Sequence, residues 1–200
     1  MQKRLIECVP NISEGRDRQK INAIANVVET IEGVKLLEVD PGKATNRTVI
    51  TFVGEPEKVI EAAFLLIKKA ADLIDMSKHK GEHPRFGATD VCPLIPISGI
   101  SMEETAKYAH QLGKMVGDQL GIPGYFYENA ATSPERKNLA SCRSGEYEGL
   151  KEKLTNKAWK PDFGPAEFNE SVRKTGAPVS FTRLAGTTVV MPTDEKSQAR

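Results

Sequence analysis

Residues 79–93, HKGEHPRFGATDVCP, hold the side chains of this 200-residue chain whose types and spacing could do chemistry. The segment contains two of the chain's three histidines, together with lysine, arginine, glutamate and aspartate. Gly81, Pro84 and Gly87 predict a loop, and the apolar run at residues 91–97 predicts a strand after it. A loop so dense in titratable groups, placed beside a rigid strand, is where an active site is expected.

The two histidines of this loop are compatible with two chemistries. His79, Glu82 and His83 fit the His-x-x-Glu-His pattern of one class of zinc metalloproteases, in which a helix carries both histidines on one face. Gly81 and Pro84 argue against such a helix, so a metal site is not expected. The second chemistry makes His83 a general base, because an imidazole titrates near neutral pH. A loop histidine that only hydrogen-bonds the backbone is the third interpretation, and the pattern leaves it open.

Charged residues from three segments could act together with His83. Its nearest acidic neighbours in sequence are Glu82 and Asp90, while Asp40 could arrive from another loop. Two arginines, Arg47 and Arg85, favour a ligand that bears a carboxylate, because a guanidinium pairs with a carboxylate through two parallel hydrogen bonds.

Three reactive side chains outside this loop have weaker claims. His110 falls in the middle of a predicted helix, where a surface or hydrogen-bonded histidine is expected rather than a ligand. Cys92 lies in an apolar strand and is expected in the core. Cys142 stands next to Arg143, which could lower the pKa of its thiol, but no general base is adjacent in sequence.

The composition excludes several function classes. Apolar content of 39%, charged content of 28% and a net charge of +1 predict a globular domain without a general nucleic-acid surface. No apolar run approaches the roughly 18–20 residues that span a bilayer. The start of the chain lacks the apolar region of a secretory signal, and three distant cysteines match no metal spacing. We therefore expect reduced thiols and a cytoplasmic protein.

The hydrophobic pattern predicts an α/β (α+β) fold of the ferredoxin-like type. Strands are expected at residues 5–9, 34–39, 48–53 and 91–97, and helices at residues 17–31 and 56–74. The resulting βαββαβ order predicts a mixed sheet with helices on one face. An appended helix at residues 101–120, opened by a capping box of Ser101 and Glu104, precedes a last strand at 123–127.

Three loops are expected to converge at one end of this sheet: residues 11–16, 40–47 and 79–90. The second face of the sheet is left without a cover. Prolines and glycines recur after Trp159 and argue against regular structure there. From about residue 169 to the end, the only patch with a strand pattern is at residues 187–191.

Six blocks of sequence resemble one known family. They are ECVPNISEG (7–15), TNRTV (45–49), GEHPR (81–85), DVCP (90–93), GEYE (145–148) and WKPDFGP (159–165). They are similar to the N-terminal subdomain of the glutamate formimidoyltransferase (formiminotransferase) family, nearly collinearly from about residue 4 to 177. The resemblance implies transfer of a formimino group from N-formimino-L-glutamate to N5 of tetrahydrofolate, in histidine breakdown. Tetrahydrofolate is then a co-substrate, and no metal is implied.

The resemblance also implies roles for individual residues. His83 matches the family's active-site histidine and would take the N5 proton, while a matching Asp40 would orient the imidazole. Residues 164–173 match the folate-binding segment, in which Gly164, Pro165 and Phe168 fit the pattern. Arg47 and Arg85 as carboxylate anchors are inferred from the residues themselves.

The family has a second α/β subdomain, and folate binds between the two halves. We expect residues 1–177 to form the N-terminal subdomain and residues 178–200 an irregular tail, with the second subdomain absent. A site that lacks one wall would need a partner, either a second copy of the chain or a separate second subdomain. The alternative is a non-catalytic folate-binding or interaction module.

Overall fold

A computed structural model describes residues 2–182 of the chain. The strands are β1 (Leu5–Cys8), β2 (Asn11–Ile12), β3 (Lys35–Gly42), β4 (Arg47–Gly54), β5 (Thr89–Ser98), β6 (Tyr125–Glu128) and β7 (Val179–Thr182). The α-helices are α1 (Arg18–Ala25), α2 (Pro56–Leu73), α3 (Met102–Met115), α4 (Leu139–Arg143), α5 (Glu146–Thr155) and α6 (Glu170–Thr175). Shorter 3-10 turns span Asn26–Thr30, Met76–Lys78, Pro134–Lys137 and Lys157–Trp159, and a π turn spans Val116–Leu120. Within residues 2–182, every helix is too short or too polar to cross a membrane.

All strands belong to one sheet, in the order β3, β4, β1 with β2, β5, β7, β6. β1 and β2 lie in line, interrupted at Val9 and Pro10, and pair antiparallel with β4 on one side and β5 on the other. β3 pairs antiparallel with β4. This is the strand arrangement of the split βαβ unit, so the ferredoxin-like prediction is confirmed. β5, β7 and β6 then run parallel to one another.

Local sequence signals place the helix ends where expected. Pro56 occupies the first turn of α2, where a missing backbone N–H is harmless. Ser101 and Glu104 form the expected capping box at the start of α3. Gly121, with φ of 63°, ends the following π turn in a left-handed conformation. The first helix is shorter than expected, because α1 tightens into a 3-10 turn after Ala25.

Two hydrophobic clusters lie on opposite faces of the sheet. The larger one packs α1, α2 and α3 against strand side chains that include Ile6, Phe52 and Phe126. The smaller one contains Tyr125 and Tyr127, which flank Phe126 in β6 and therefore point to the other face. Side chains of α4, α5 and α6 complete this smaller cluster (Cys142, Leu150, Leu154 and Val172). Helices α1, α2 and α3 thus share one face of the sheet, as expected, and helices α4, α5 and α6 cover one end of the second face.

The prediction of an irregular chain after residue 177 is wrong for Val179–Thr182, which form β7 between β5 and β6. α6 is likewise absent from the prediction, although Asn169 caps it by accepting a hydrogen bond from the Val172 N–H at 3.0 Å. Both elements are short, so neither shows a hydrophobic period; β7 exists because two neighbouring strands pair with its backbone. The strand pattern at residues 187–191 lies outside the described residues.

Candidate active site

Asn46 joins the three loops that were expected to converge. Its side-chain oxygen accepts a hydrogen bond from the Gly15 N–H at 3.0 Å, and its amide donates to the Lys80 carbonyl at 2.9 Å. The Asn46 carbonyl lies 3.0 Å from Nε2 of His79. Asn46 adopts a left-handed φ of 50°, which asparagine tolerates better than most residues. The predicted convergence is confirmed.

Two glycines allow this close approach of backbone to backbone. A Cβ at Gly15 would lie 2.2 Å from the Gly42 carbonyl oxygen and 2.5 Å from the Arg47 nitrogen. A Cβ at Gly81 would lie 2.3 Å from the Thr45 carbonyl oxygen. Both contacts are with backbone atoms that cannot rotate away, so a side chain at either position would separate the loops.

The centre of the site is a buried cluster of two arginines and one aspartate beside His83. Asp90 is completely buried and accepts hydrogen bonds from the Phe86 N–H at 2.8 Å and from Arg47. Arg143 lies 2.8 Å from the same carboxylate and also donates to the Pro84 carbonyl. Two cations thus share one carboxylate, which leaves the cluster with an excess positive charge.

His83 is half-buried at the edge of this cluster, and its surroundings hold it neutral. Nδ1 lies 2.6 Å from the Pro84 carbonyl and 3.1 Å from Nη1 of Arg47. A carbonyl only accepts and a guanidinium only donates, so the shorter contact places the proton on Nδ1. Burial lowers the pKa of His83, and the nearby charges of Arg47 and Arg143 lower it further. Within residues 2–182, Nε2 makes no hydrogen bond, so its lone pair is available.

Asp40, the other predicted catalytic residue, does not touch His83 in the structure. It is exposed on β3 and pairs in register with Val49, which in turn pairs with Asn11. Asn11 accepts a hydrogen bond from Arg47 Nε at 2.9 Å. Asp40 therefore lies in the same row of the sheet as Asn11, two strands away, and it is Asn11 that contacts the cluster. Asp90 is the carboxylate next to His83.

Arg85 points away from this cluster and toward α5. Its guanidinium donates to Glu148 at 2.6 and 2.8 Å and to Glu146 at 3.3 Å. The bonds to Glu148 raise the pKa of Arg85. These contacts brace the histidine loop against the start of α5 and occupy both terminal nitrogens of Arg85, whose role as a carboxylate anchor stays a prediction.

The geometry of His79 does not support the zinc interpretation. Residues 79–88 contain no helix, so His79 and His83 do not share a helical face. In the part of the chain that the structure describes, no group of three or more histidine, cysteine, aspartate or glutamate side chains could hold a metal ion.

The predicted folate-binding residues lie at the same end of the sheet, several strands from His83. Gly164 packs against the turn before β6. A Cβ on Gly164 would lie 2.3 Å from the Ile122 carbonyl oxygen. Phe168 packs against the smaller hydrophobic cluster. Pro165 is partly buried. The register Asn11–Val91–Val179–Tyr125 places β6 three strands from β2, roughly 14 Å away.

The remaining predictions for reactive residues have mixed outcomes. His110 is hydrogen-bonded to the Ala130 carbonyl at 2.8 Å, and Cys92 is buried in the core, as expected. The expectation of a lowered thiol pKa at Cys142 is wrong, because burial raises that pKa to about 11. Arg143 instead uses its charge at Asp90. The role of Arg143 could not be found from sequence because it stands far from the histidine loop in the chain, whereas Asn11 belongs to one of the three loops that were expected to converge.

Comparison with known proteins shows the family to which the chain belongs. The family described as "Formiminotransferase domain, N-terminal subdomain" matches residues 5–179. The chain is 51% identical over 180 residues to the formimidoyltransferase-cyclodeaminase of Dictyostelium discoideum, covering 90% of this chain and 33% of that protein. It is 49% identical over 181 residues to the glutamate formimidoyltransferase of Thermoplasma acidophilum, covering 90% of this chain and 58% of that protein. It thus spans about a third of the first relative and little more than half of the second. The chain belongs to the family of formiminotransferase N-terminal subdomains.

Proposed function

We propose that this protein acts as a glutamate formimidoyltransferase, in which His83 is the general base. The observation that carries the proposal is a half-buried neutral imidazole with an unoccupied Nε2, held beside two arginines that share one aspartate. A group transfer between two nitrogen atoms needs a base of this kind, because the attacking nitrogen loses a proton as its new bond forms.

The proposed reaction conserves atoms and charge. N5 of tetrahydrofolate attacks the formimino carbon of N-formimino-L-glutamate and forms the new N–C bond. His83 accepts the N5 proton at Nε2. The imidazolium then gives that proton to the glutamate nitrogen as its bond to the formimino carbon breaks, so free glutamate leaves and the base is regenerated.

The charged neighbours of His83 support this role. Arg47 and Arg143 lower the pKa of His83, which keeps the base unprotonated near neutral pH. Their excess positive charge also suits the glutamate carboxylates, with Arg47 as one anchor. We retain Asp40, Arg85, Gly164, Pro165 and Phe168 as proposed contacts to substrate or folate; Asp40 would act from the open sheet face.

The site needs a further wall, which we propose is supplied by a second copy of the chain or a separate second subdomain. Leu37 of β3 and Ile97 of β5 are each 50% exposed. Large apolar side chains that stay exposed on a sheet are a feature of an interaction surface. A cytoplasmic location is part of the proposal, supported by three buried cysteines that form no disulfide within residues 2–182.

The test is to incubate the purified chain with formiminoglutamate and tetrahydrofolate and to measure formation of 5-formiminotetrahydrofolate. His83→Gln is the test variant and His110→Gln its matched control, because His110 is a hydrogen-bonded histidine outside the site. Turnover that disappears in His83→Gln and persists in His110→Gln supports the proposal. A folded chain that binds tetrahydrofolate in calorimetry without turnover supports the binding module instead. Absence of both turnover and binding in the folded chain overturns the binding module and the version in which a second copy completes the site, and leaves a half-site that needs a separate second subdomain.

A further inference from the structure

Lys153 is a buried lysine that the proposed reaction does not use. It lies on α5 with only 8% of its surface exposed, whereas Lys151 on the same helix is exposed. Its ammonium lies 4.1 Å from the centre of the Trp159 ring and within 6 Å of the Phe86 and Tyr125 rings. A buried lysine is rare unless its charge is compensated, and this aromatic box compensates only part of it.

The ammonium donates its hydrogen bonds to the end of α4. It lies 3.0 Å from the Ser141 carbonyl, 2.7 Å from that of Cys142 and 3.1 Å from that of Ser144. Ser141 and Cys142 lie in the last turn of the five-residue helix α4, and Ser144 caps its end. The Ser141 carbonyl also accepts a hydrogen bond from the Ser144 N–H at 3.3 Å, whereas the carbonyls of Cys142 and Ser144 accept none from the backbone of the described residues. Lys153 therefore replaces the missing turn and holds the end of α4 in place.

Arg143 lies between the carbonyls that Lys153 binds. It is the last residue of α4, and its side chain reaches Asp90 at 2.8 Å and the Pro84 carbonyl next to His83. A side chain on a five-residue helix has little intrinsic support, since helices this short are not stable alone. The position of Arg143 thus depends on what fixes the backbone on either side of it.

We propose that Lys153 is a positioning residue for the candidate active site: its ammonium fixes the end of α4 and so sets Arg143 against Asp90 and His83. The functional consequence rests on the proposed transferase reaction, but the structural coupling from Lys153 to His83 does not. Removal of the ammonium frees the carbonyls, lets Arg143 move away from His83 and raises the pKa of the imidazole.

The groups that face Lys153 make this coupling sensitive to pH. They are Cys142 of α4, Tyr125 of β6 and Arg136 of the turn Pro134–Lys137. Burial lowers the pKa of Lys153 to about 8, the Cys142 thiol opposes that shift, and Arg136 adds to it. Because burial raises the pKa values of Cys142 and Tyr125, Lys153 is the first of these groups to lose its proton as pH rises. Deprotonation of Lys153 leaves two N–H donors for the three carbonyls at the end of α4.

The test is an NMR titration of the His83 imidazole, identified by the signal that His83→Gln removes. Lys153→Met keeps the length of the side chain and removes the ammonium, Arg143→Gln removes the cation directly, and Lys151→Met is the matched control. We expect Lys153→Met and Arg143→Gln to raise the pKa of His83, the double variant to add nothing further, and Lys151→Met to leave it unchanged. An unchanged pKa of His83 in folded Lys153→Met overturns the proposal.

A second measurement covers the case in which Lys153→Met does not fold. In the unaltered chain, the Nε signal of Arg143 should move with a midpoint near pH 8 as Lys153 loses its proton. An Arg143 signal that stays flat while the Lys153 ammonium, followed in the same titration, loses its proton overturns the proposal. If turnover is present, Lys153→Met should lower kcat/KM by about 10- to 100-fold through misplacement of the site, and Lys153→Arg should restore part of it. Because both titrations need no turnover, failure of the transferase proposal and failure of this one are distinguishable.

Discussion

Residues 2–182 contain two buried arginine–aspartate clusters that differ in charge balance. Arg136 and Asp162 pair one to one under the Tyr125 and Trp159 rings. The Asp162 carboxylate also accepts from the Phe126 N–H and from Thr132, and Arg136 donates to the Lys160 carbonyl. At the other cluster, Arg47 and Arg143 share Asp90, and the surplus cation lies next to His83.

The difference distinguishes an ion pair that only joins structural elements from one that also acts on a titratable neighbour. In the balanced cluster, the carboxylate directs its oxygens at a strand, a loop and an arginine, so its charge holds β6 and the loop after Trp159 together. In the unbalanced cluster, the remaining positive charge acts on a titratable neighbour and lowers its pKa. An excess of charge beside an accessible imidazole is therefore the feature that marks a site, rather than buried charge as such.

The largest expected effect is on activity at the unbalanced cluster. His83→Gln should lower turnover by about 100- to 10,000-fold, the contribution of a positioned general base. Its free energy of unfolding should change little, since the imidazole is half-buried and keeps one unoccupied nitrogen. Steady-state kinetics and urea denaturation measure the two effects. Retained turnover in His83→Gln would remove the functional distinction between the clusters.

Removing one arginine from each cluster should affect stability unequally. Arg136→Gln leaves Asp162 buried without a cation and should lower the free energy of unfolding by about 3–5 kcal/mol. Arg143→Gln leaves Asp90 with Arg47 and the Phe86 N–H, so the loss should be about 1 kcal/mol. Urea denaturation at neutral pH compares the two. Equal losses would mean that the second cation at Asp90 is structural.

The polar side chain that supports each cluster offers a smaller contrast. Asn46→Ala removes the hydrogen bonds that join the loops around Arg47 and should lower stability by about 1–3 kcal/mol, with a loss of turnover. Thr132→Val removes a hydrogen bond to Asp162 and should leave the turnover of the folded protein unchanged. Asn46→Gly, which tolerates the left-handed φ, separates backbone strain from the lost amide. Turnover that is insensitive to Asn46→Ala would mean that the loops are held without it.

The smallest expected effect is the pH dependence of the unbalanced cluster. The folded state holds the pKa of His83 below its ordinary value of 6.5, so the unfolded state binds more protons as pH falls below 6.5. Stability contributed by the neutral imidazole is present above pH 6.5 and is lost as pH falls through the folded pKa. The acid limb of kcat/KM should likewise lie below 6.5. His83→Gln should remove this part of the pH dependence of unfolding, which denaturation at several pH values measures.

Much of the fold follows from local patterns in the chain. The apolar spacing of α2 and the capping box of Ser101 and Glu104 each involve residues that are close in the chain, so both can be recognised from the sequence alone. The convergence of the three loops also follows from the sequence, since the order of the strands alone places these loops at the same end of the sheet. β7 and α6 could not be predicted, because each is a short element that exists through pairing and packing with distant residues.

The candidate site likewise contains some residues that the sequence predicts and others that only the tertiary structure brings together. Residue types and the resemblance predict His83 as a general base and Arg47 as a carboxylate anchor. The chemistry of an imidazole or a guanidinium can be stated without knowing its neighbours. The choice of Asp90 over Asp40, the engagement of Arg85 by Glu148 and the recruitment of Arg143 depend on contacts between residues far apart in the chain. A pKa depends on burial and on charges within a few ångströms, whatever their sequence positions, so folding in three dimensions determines which carboxylate and which cations act on His83.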